Sequence, residues 1–148
     1  MSAVPAGVSQ YLLGLRHVGV ITDDLDAMLA RLQAIFGIAD ADIVRVPRPG
    51  ETAETRFAFF SIGGTPYEVI EPVSARFREI LLGSNRGANH VCYNVSDLSA
   101  AVAAMAAAGV RLGHVTPDGI IELPSSRMAY FNPEDTAGLL IEFVENRA

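Results

Sequence analysis

Apolar residues along the chain follow two periods, that of a strand and that of a helix, and these alternate in a fixed order. HVGVI, at residues 17–21, is short, apolar and rich in β-branched residues, which is typical of a strand. The next segment, TDDLDAMLARLQAIFG, has its apolar residues at helical spacing, with Thr22 or Asp23 as the expected N-cap and Gly37 as the end. Three strands are then expected, at ADIVRV, RFAFFSI and PYEVIEP, with SIGGT as the hairpin turn between the last two.

The second half of the chain repeats this order. HVCYNV predicts a strand, and SDLSAAVAAMAAAGV predicts a helix that Ser96 caps and Gly109 ends. The strands expected after it are VRLGHV, RMAYFN and LLIEFVE. We therefore predict an α+β protein with a single domain at 1–148, built from tandem βαβββ modules at 13–72 and 87–146. ARFREILLG predicts a short helix in the linker, residues 73–86.

The two modules also match in individual residues. LRHVGVITDDLDAMLARL and ANHVCYNVSDLSAAVAAM align at an offset of 73, which places His17 on His90. TPYEVIEP and GLLIEFVE align at an offset of 74, which places Glu68 on Glu142. RFAFFSIGG and RMAYFNPED align between these two matches. Three matches in the same order indicate an internal duplication.

Each module carries one histidine and one glutamate in an apolar strand. Glu68 lies within YEVI and Glu142 within LLIEFV, where a carboxylate is costly unless a hydrogen-bonded cation or a metal compensates it. His17 and His90 open the first strand of their modules. A pseudo-twofold pairing of the modules would bring all four side chains to one cleft. Two imidazoles and two carboxylates suit one divalent ion of Co, Ni, Mn, Zn or Fe.

Each of these residues also has an ordinary structural interpretation. A single strand histidine is more often a hydrogen-bonded core residue than a ligand, and a buried glutamate more often pairs with an arginine, for which Arg56 and Arg127 are available. Cys92 alternates onto the face of His90, where it is expected to act as a small apolar filler. His114 lies outside the repeat and is treated as an ordinary residue.

Composition excludes several functions. The net charge of -6 argues against a nucleic-acid partner, which requires a basic surface. All eleven basic residues are arginines, so no lysine is present to form a Schiff base. The longest apolar stretch has 11 residues, whereas a membrane span needs roughly 20. There is no glycine-rich phosphate loop, and so no nucleotide cofactor is expected.

The start of the chain and its single cysteine bear on its location. MSAVPAGVSQ lacks the basic segment and long apolar run of a secretory signal. Cys92 is the only cysteine, so the chain forms no internal disulfide, which fits a reducing compartment. We expect a soluble, cytoplasmic protein.

The stretches LRHVGVITDDLDAMLARLQAIFGI, FAFFSIGGTPYEVIEP, GANHVCYNVSDLSAAVAAMAAAGVRL and GLLIEFVE resemble the vicinal-oxygen-chelate superfamily over almost the whole chain. That superfamily includes glyoxalase I, extradiol dioxygenases, fosfomycin and bleomycin resistance proteins and methylmalonyl-CoA epimerase, which this chain resembles most. The resemblance implies an open eight-stranded, barrel-like cleft and a homodimer. It also implies that one divalent metal ion is bound by His17, Glu68, His90 and Glu142.

The implied reaction is proton abstraction α to a metal-bound carbonyl, with Glu142 as the first candidate for the base and Glu68 as the second. The implied substrate is a small molecule, either an acyl-CoA or a hemithioacetal. A glyoxalase I-like lyase acting on a hemithioacetal or another 1,2-oxygenated substrate is the alternative, and a non-catalytic small-molecule-binding member is a third interpretation. Four arginines are available for CoA phosphates: Arg45, Arg48, Arg76 and Arg78.

The chain departs from the epimerase pattern at several positions. Asn89 and His90 stand where such epimerases often have two consecutive histidines. Phe57 stands where some bacterial epimerases carry an additional glutamate in the cleft, and Glu54 is the nearest acid to it. The region 41–55 matches no pattern. The substrate, the metal, the identity of the base and the existence of a second base therefore stay open.

Overall fold

The computed structural model describes residues 7–82 and 87–147, in which strands and helices follow the predicted order. The longer elements are β1 (Leu12–Ile21), α1 (Leu25–Phe36), β2 (Val44–Val46), β3 (Thr55–Ile62), β4 (Thr65–Pro72), α2 (Ala75–Leu82), β5 (Gly87–Val95), α3 (Leu98–Ala107), β6 (Ile121–Glu122), β7 (Ser126–Tyr130) and β8 (Ile141–Asn146). Short 3-10 turns lie at Ser9–Tyr11, Asp40–Asp42 and Pro133–Thr136. The α+β class and the order βαβββ, twice, are confirmed.

The chain divides into two compact units, residues 17–89 and residues 1–16 with 90–148, which we call the first and the second unit. The predicted module boundaries at 13–72 and 87–146 stay predictions. Helix α2 lies within the predicted linker 73–86, of which residues 83–86 fall outside the described part of the chain. No helix in the described ranges is long and apolar enough to cross a membrane.

The strands of the first unit lie in the order β2-β3-β4-β1. Strands β3 and β4 form an antiparallel hairpin through the turn at Gly63 and Gly64, whose positive φ angles of 56° and 82° suit a residue without a side chain. Strand β4 runs parallel to β1, with Glu68 in register with Gly19. Helix α1 covers one face of these strands, where Leu25, Leu29, Ala58, Phe60 and Val69 form the core.

The second unit has the matching order β5-β8-β7-β6. Strand β5 runs parallel to β8, with Cys92 in register with Glu142. Helix α3 packs on one face of this sheet, and its core contains Leu98, Met105, Phe131 and Phe143. Each unit therefore has a parallel pair made of its first and last strands, with a helix and two antiparallel strands between them in the chain, built from different core residues.

The helix caps lie one or two residues further along than the sequence indicated. The side chains of Asp24 and Asp97 cap α1 and α3 by accepting hydrogen bonds at 3.0 Å from the backbone N–H groups of Ala27 and Ala100. The caps predicted at Thr22 or Asp23 and at Ser96 are therefore wrong. Aspartate is a strong capping residue, and only at these positions does its side chain reach the third N–H of the helix.

The predicted strand VRLGHV is also wrong. Leu112 makes a single bridge to Phe131, and the chain then turns at His114, whose φ angle is 66°. The preceding Arg111 directs its guanidinium to the carboxylate of Asp135, and its backbone N–H donates to the same carboxylate. These bonds hold residues 111–113 beside the end of β7. The strand at the edge of the sheet therefore forms later in the chain, as β6.

A second glutamate supports each helix start. The carboxylates of Glu71 and Glu145 accept hydrogen bonds at 2.8 Å from the backbone N–H groups of Leu25 and Leu98. An arginine on the neighbouring strand contacts each carboxylate: Arg56 at 3.2 Å and Arg127 at 3.6 Å. Both glutamates lie where a helix begins, and there a negative charge stabilises the unpaired N–H groups.

We predict that Glu145→Ala lowers the free energy of unfolding by about 1–2 kcal/mol, because a charge-assisted hydrogen bond at a helix start is lost. Glu122→Ala is the matched control: Glu122 also contacts Arg127, at 2.9 Å, but lies on the surface. Its loss should cost under about 1 kcal/mol. Urea unfolding of both variants measures the difference, and equal losses would contradict the capping role of Glu145.

Candidate functional site

The first unit places His17 and Glu68 together on the sheet face opposite α1. Tyr67 and Val69 pack on the helix side, so strand alternation directs Glu68 to the other face. The Nε2 atom of His17 lies 3.5 Å from Oε1 of Glu68, and the two side chains are 8% and 13% exposed. His17 lies within β1, since the strand begins five residues before it.

The second unit repeats this arrangement with His90 and Glu142. Nε2 of His90 lies 3.3 Å from Oε1 of Glu142, and these side chains are only 1% and 4% exposed. Phe143 and Glu145 point to the α3 side, so alternation again places Glu142 on the face away from the helix. Each module thus brings its one strand histidine and its one strand glutamate together, while the binding of one metal by all four residues stays a prediction.

An aromatic residue accompanies each glutamate in the neighbouring strand. Phe59 is in register with Glu68, and Tyr130 is in register with Glu142. The ring of Tyr130 stands edge-on to the imidazole of His90, with the ring centres 5.5 Å apart. The alignment of RFAFF with RMAYF places these two aromatics on each other, so the repeat contained this signal although it was not used.

Buried Thr116 holds Tyr130 in place. Its hydroxyl accepts a hydrogen bond at 2.8 Å from the backbone N–H of Tyr130 and donates one at 3.0 Å to the backbone carbonyl of the same residue. The ladder between β6 and β7 reaches only to Met128, and at Tyr130 the hydroxyl adds to the backbone hydrogen bond that the N–H of Gly113 donates to the Tyr130 carbonyl. The repeat did not indicate this contact, because Thr116 has no counterpart in it.

The two arginines considered as partners for the buried glutamates bind on the helix side. Arg56 contacts Asp26 at 3.0 Å as well as Glu71, and the hydrogen bond from Arg56 to Asp26 raises the pKa of the guanidinium. Arg127 contacts Glu122 and Glu145. These arginines therefore stabilise the helix starts, while the strand histidines accompany Glu68 and Glu142.

The donor atoms fit a divalent metal ion. Two ligands bonded at about 2.0–2.1 Å to one tetrahedral ion are separated by roughly 3.4 Å. The His–Glu separations of 3.5 Å and 3.3 Å are close to that value. A hydrogen-bonded pair of a histidine and a carboxylate has similar distances, so the geometry fits a metal without requiring one. Imidazole nitrogen and carboxylate oxygen together suit first-row divalent ions.

The remaining residues selected from the sequence lie outside the two His–Glu pairs. Cys92 is fully buried in the sheet, in register with Glu142. His114 forms a turn, and the backbone carbonyl of Glu54 accepts hydrogen bonds from Val73 and Ser74. Phe57 lies on the Glu68 face of β3, stacked on Phe59.

The four arginines considered for CoA phosphates do not form one cluster of shared contacts. Arg45 binds Asp40 at 2.9 Å, Arg76 lies over the ring of Phe77, and Arg78 donates to the carbonyl of Pro72. Arg45 and Arg48 line a cavity of about 410 Å³ at the edge of the first unit. Carboxylates of Asp26 and Glu51 line the same cavity, so its charge is mixed.

Comparison with known proteins gives consistent results. The chain is 25% identical over 131 residues to the mitochondrial methylmalonyl-CoA epimerase of Mus musculus, an alignment that covers 86% of this chain and 70% of the mouse protein. The crystal structure of methylmalonyl-CoA epimerase from Mycobacterium tuberculosis superposes with a TM-score of 0.66 at 24% identity, over 100% of this chain and 93% of that one. A variant of the Streptomyces coelicolor epimerase in complex with 2-nitronate-propionyl-CoA superposes with a TM-score of 0.69 at 23% identity, over 93% and 96% of the two chains.

These structures show the fold, and they confirm the vicinal-oxygen-chelate fold expected from the sequence. The family model described as Glyoxalase/Bleomycin resistance protein/Dioxygenase superfamily matches residues 16–126, about three quarters of the chain. That range contains His17, Glu68 and His90 and the helix starts of both repeats. The chain belongs to the glyoxalase/bleomycin resistance protein/dioxygenase superfamily.

Proposed function

We propose that this protein is a metal-dependent isomerase that epimerises its substrate by removing a proton α to a metal-bound carbonyl. One observation carries the proposal: two repeat-equivalent His–Glu pairs, each buried on the sheet face opposite α1 or α3. In this proposal His17, Glu68, His90 and Glu142 bind one divalent ion of Co, Ni, Mn, Zn or Fe. A bound ion would polarise the carbonyl and stabilise the negative charge that develops on its oxygen.

The proposed substrate is an acyl-CoA. The proposal rests on the similar proteins named methylmalonyl-CoA epimerase and on the solved complex of one of them with 2-nitronate-propionyl-CoA. Because these identities are 23–25%, the proposal covers acyl-CoA substrates as a class and names no particular acyl group.

Glu142 is the proposed base, with Glu68 as the second candidate. The side chain of Glu142 is almost fully buried between Cys92 and Tyr130 of the adjoining strands, so water has little access to it. When released from the metal, a carboxylate in this position can take a proton from the substrate α-carbon and return it. Glu68 is the more exposed of the two, at 13%, and so has the easier access to a bound molecule.

A glyoxalase I-like lyase is the second proposed function. The face of β3 beside Glu68 presents Phe57 and Phe59 rather than another acid, so proton transfer on both faces of a substrate would have to use Glu68 and Glu142 themselves. A hemithioacetal reaction uses the same chemistry, with removal of one proton and its return to the neighbouring carbon. A binding protein without turnover would show metal and ligand binding but no proton exchange.

We predict one divalent ion per chain in the purified protein. His90→Ala should remove most of it, because one of the four proposed ligands is lost. His114→Asn is the matched control, since asparagine tolerates the left-handed backbone found at that turn. Elemental analysis measures the metal content of each variant, and circular dichroism measures its folding. A folded His90→Ala protein that retained its full metal content would contradict the proposed ligand set.

We predict that Glu142→Gln lowers exchange of the substrate α-proton with heavy water by about 100-fold or more, the usual scale for a general base. Metal affinity should fall less, because the amide oxygen can still coordinate. Glu145→Gln, on the opposite face of the same strand, should exchange the substrate α-proton at a rate within a few-fold of wild type. A panel of acyl-CoAs and hemithioacetals followed by proton NMR gives the measurement.

The outcomes of the exchange assay separate the alternatives. Undiminished exchange in metal-loaded Glu142→Gln would move the role of base to Glu68. Exchange of hemithioacetals alone would favour the lyase. The absence of exchange from every compound in the panel, with metal bound, would favour the binding protein.

We also propose that the protein is a cytoplasmic homodimer, as expected for this family. Several large apolar side chains are exposed in the described chain, including Leu13, Phe36 and Leu139, which is consistent with a covered surface in an assembly. Light scattering at micromolar concentration should give twice the chain mass of 15.8 kDa. A mass equal to one chain would contradict the dimer.

A further inference from the structure

Four apolar side chains of the first unit lie together on the face that carries Glu68. Val44 and Val46 belong to β2, and Phe57 and Phe59 belong to β3, where Val44 is in register with Phe59 and Val46 with Phe57. The two rings stack with centres 6.2 Å apart and planes at 13°. We call these four residues the apolar strip.

The strip is not part of the hydrophobic core. The alternate residues of β3, Ala58 and Phe60, point to the other face and are buried under α1. Val44 and Val46 remain 60% and 47% exposed, and both phenylalanines are partly exposed. Aromatic and β-branched side chains left on an open sheet face lose the free energy that burial would provide, so a contact that covers them is favoured.

The strip is continuous with the polar pair. Val44, Phe59 and Glu68 occupy the same row of neighbouring strands, where side chains on one face lie about 4.5–5.5 Å apart at Cβ. Among the described strand residues of the first unit that alternate onto this face, His17 and Glu68 are the titratable ones. A molecule held at Glu68 therefore meets apolar surface on the side of β3.

We infer that the apolar strip binds an alkyl or aryl substituent carried by the substrate next to its metal-binding oxygens. The inference rests on the proposed function, because it takes the His17–Glu68 pair as the anchor of the polar end. A charged group placed over Val44 and Phe59 would lose water against apolar side chains, and is disfavoured. The strip thus selects a substrate with an apolar group beside the reacting carbon.

Hydroxamates are suitable probes, because they bind metals through two neighbouring oxygens and are made with different side groups. Acetohydroxamate, butyrohydroxamate, hexanohydroxamate and benzohydroxamate are titrated into the nickel-loaded full-length protein by calorimetry. Each methylene that reaches the strip should tighten binding about fourfold. Acetohydroxamate measures the metal site alone, because its methyl group is too short to cover the strip.

Phe59→Ser and Val44→Ser should reduce the gain to less than about twofold per methylene and leave the affinity for acetohydroxamate unchanged. Ile35→Ser, at a residue of α1 that is 55% exposed and outside the strip, is the matched control and should keep the wild-type gain. Circular dichroism confirms folding of each variant.

The results distinguish the strip from the metal site. If acetohydroxamate does not bind metal-loaded wild type, the proposed metal site is wrong, and the proposed function with it. Normal binding of acetohydroxamate with no gain along the series overturns the strip alone. A wild-type gain retained in folded Phe59→Ser also overturns it. If light scattering then shows that Phe59→Ser halves the mass, the strip is a contact between two copies of the chain.

Discussion

The cost of placing a carboxylate inside an apolar strand governs the construction of both units. Glu68 and Glu142 adjoin core residues such as Val69 and Phe143 along their strands, and each is accompanied by a histidine nitrogen at 3.3–3.5 Å. Without such a partner a buried carboxylate would be strongly destabilising. The position of each glutamate therefore requires the position of its histidine, and this couples β4 to β1 and β8 to β5.

A three-residue spacing divides the acids of each unit between two tasks. Glu68 and Glu71 lie on opposite faces of β4, and Glu142 and Glu145 lie on opposite faces of β8, because side chains alternate along a strand. One glutamate accepts a hydrogen bond from the start of a helix, and the other faces a histidine. The helix-side glutamates hold the helices against the sheets, which keeps the opposite faces available for chemistry.

The two modules have diverged beside the glutamates. In the second unit Tyr130 and Cys92 enclose Glu142, and Thr116 fixes the backbone of Tyr130. In the first unit Phe59 is in register with Glu68 and belongs to the exposed apolar strip. The duplicated fold thus provides two different carboxylates. Glu142 is almost fully buried and is the base in the proposed reaction, whereas Glu68 lies next to a surface that an apolar group can cover.

The sequence alone determined the class of the fold, the order of its elements and the four residues of the candidate site, because the duplication shows each position twice. Hydrophobic periodicity predicted α1, α3, β3, β4, β7 and β8 for the same reason that these elements fold: each buries one apolar face. Only the tertiary structure decided the caps at Asp24 and Asp97, the partners of Arg56 and Arg127, and the turn that replaces the strand at VRLGHV. These depend on which atoms meet across the fold, as Arg111 meets Asp135 and Thr116 meets Tyr130, and the local pattern of residues does not record those contacts.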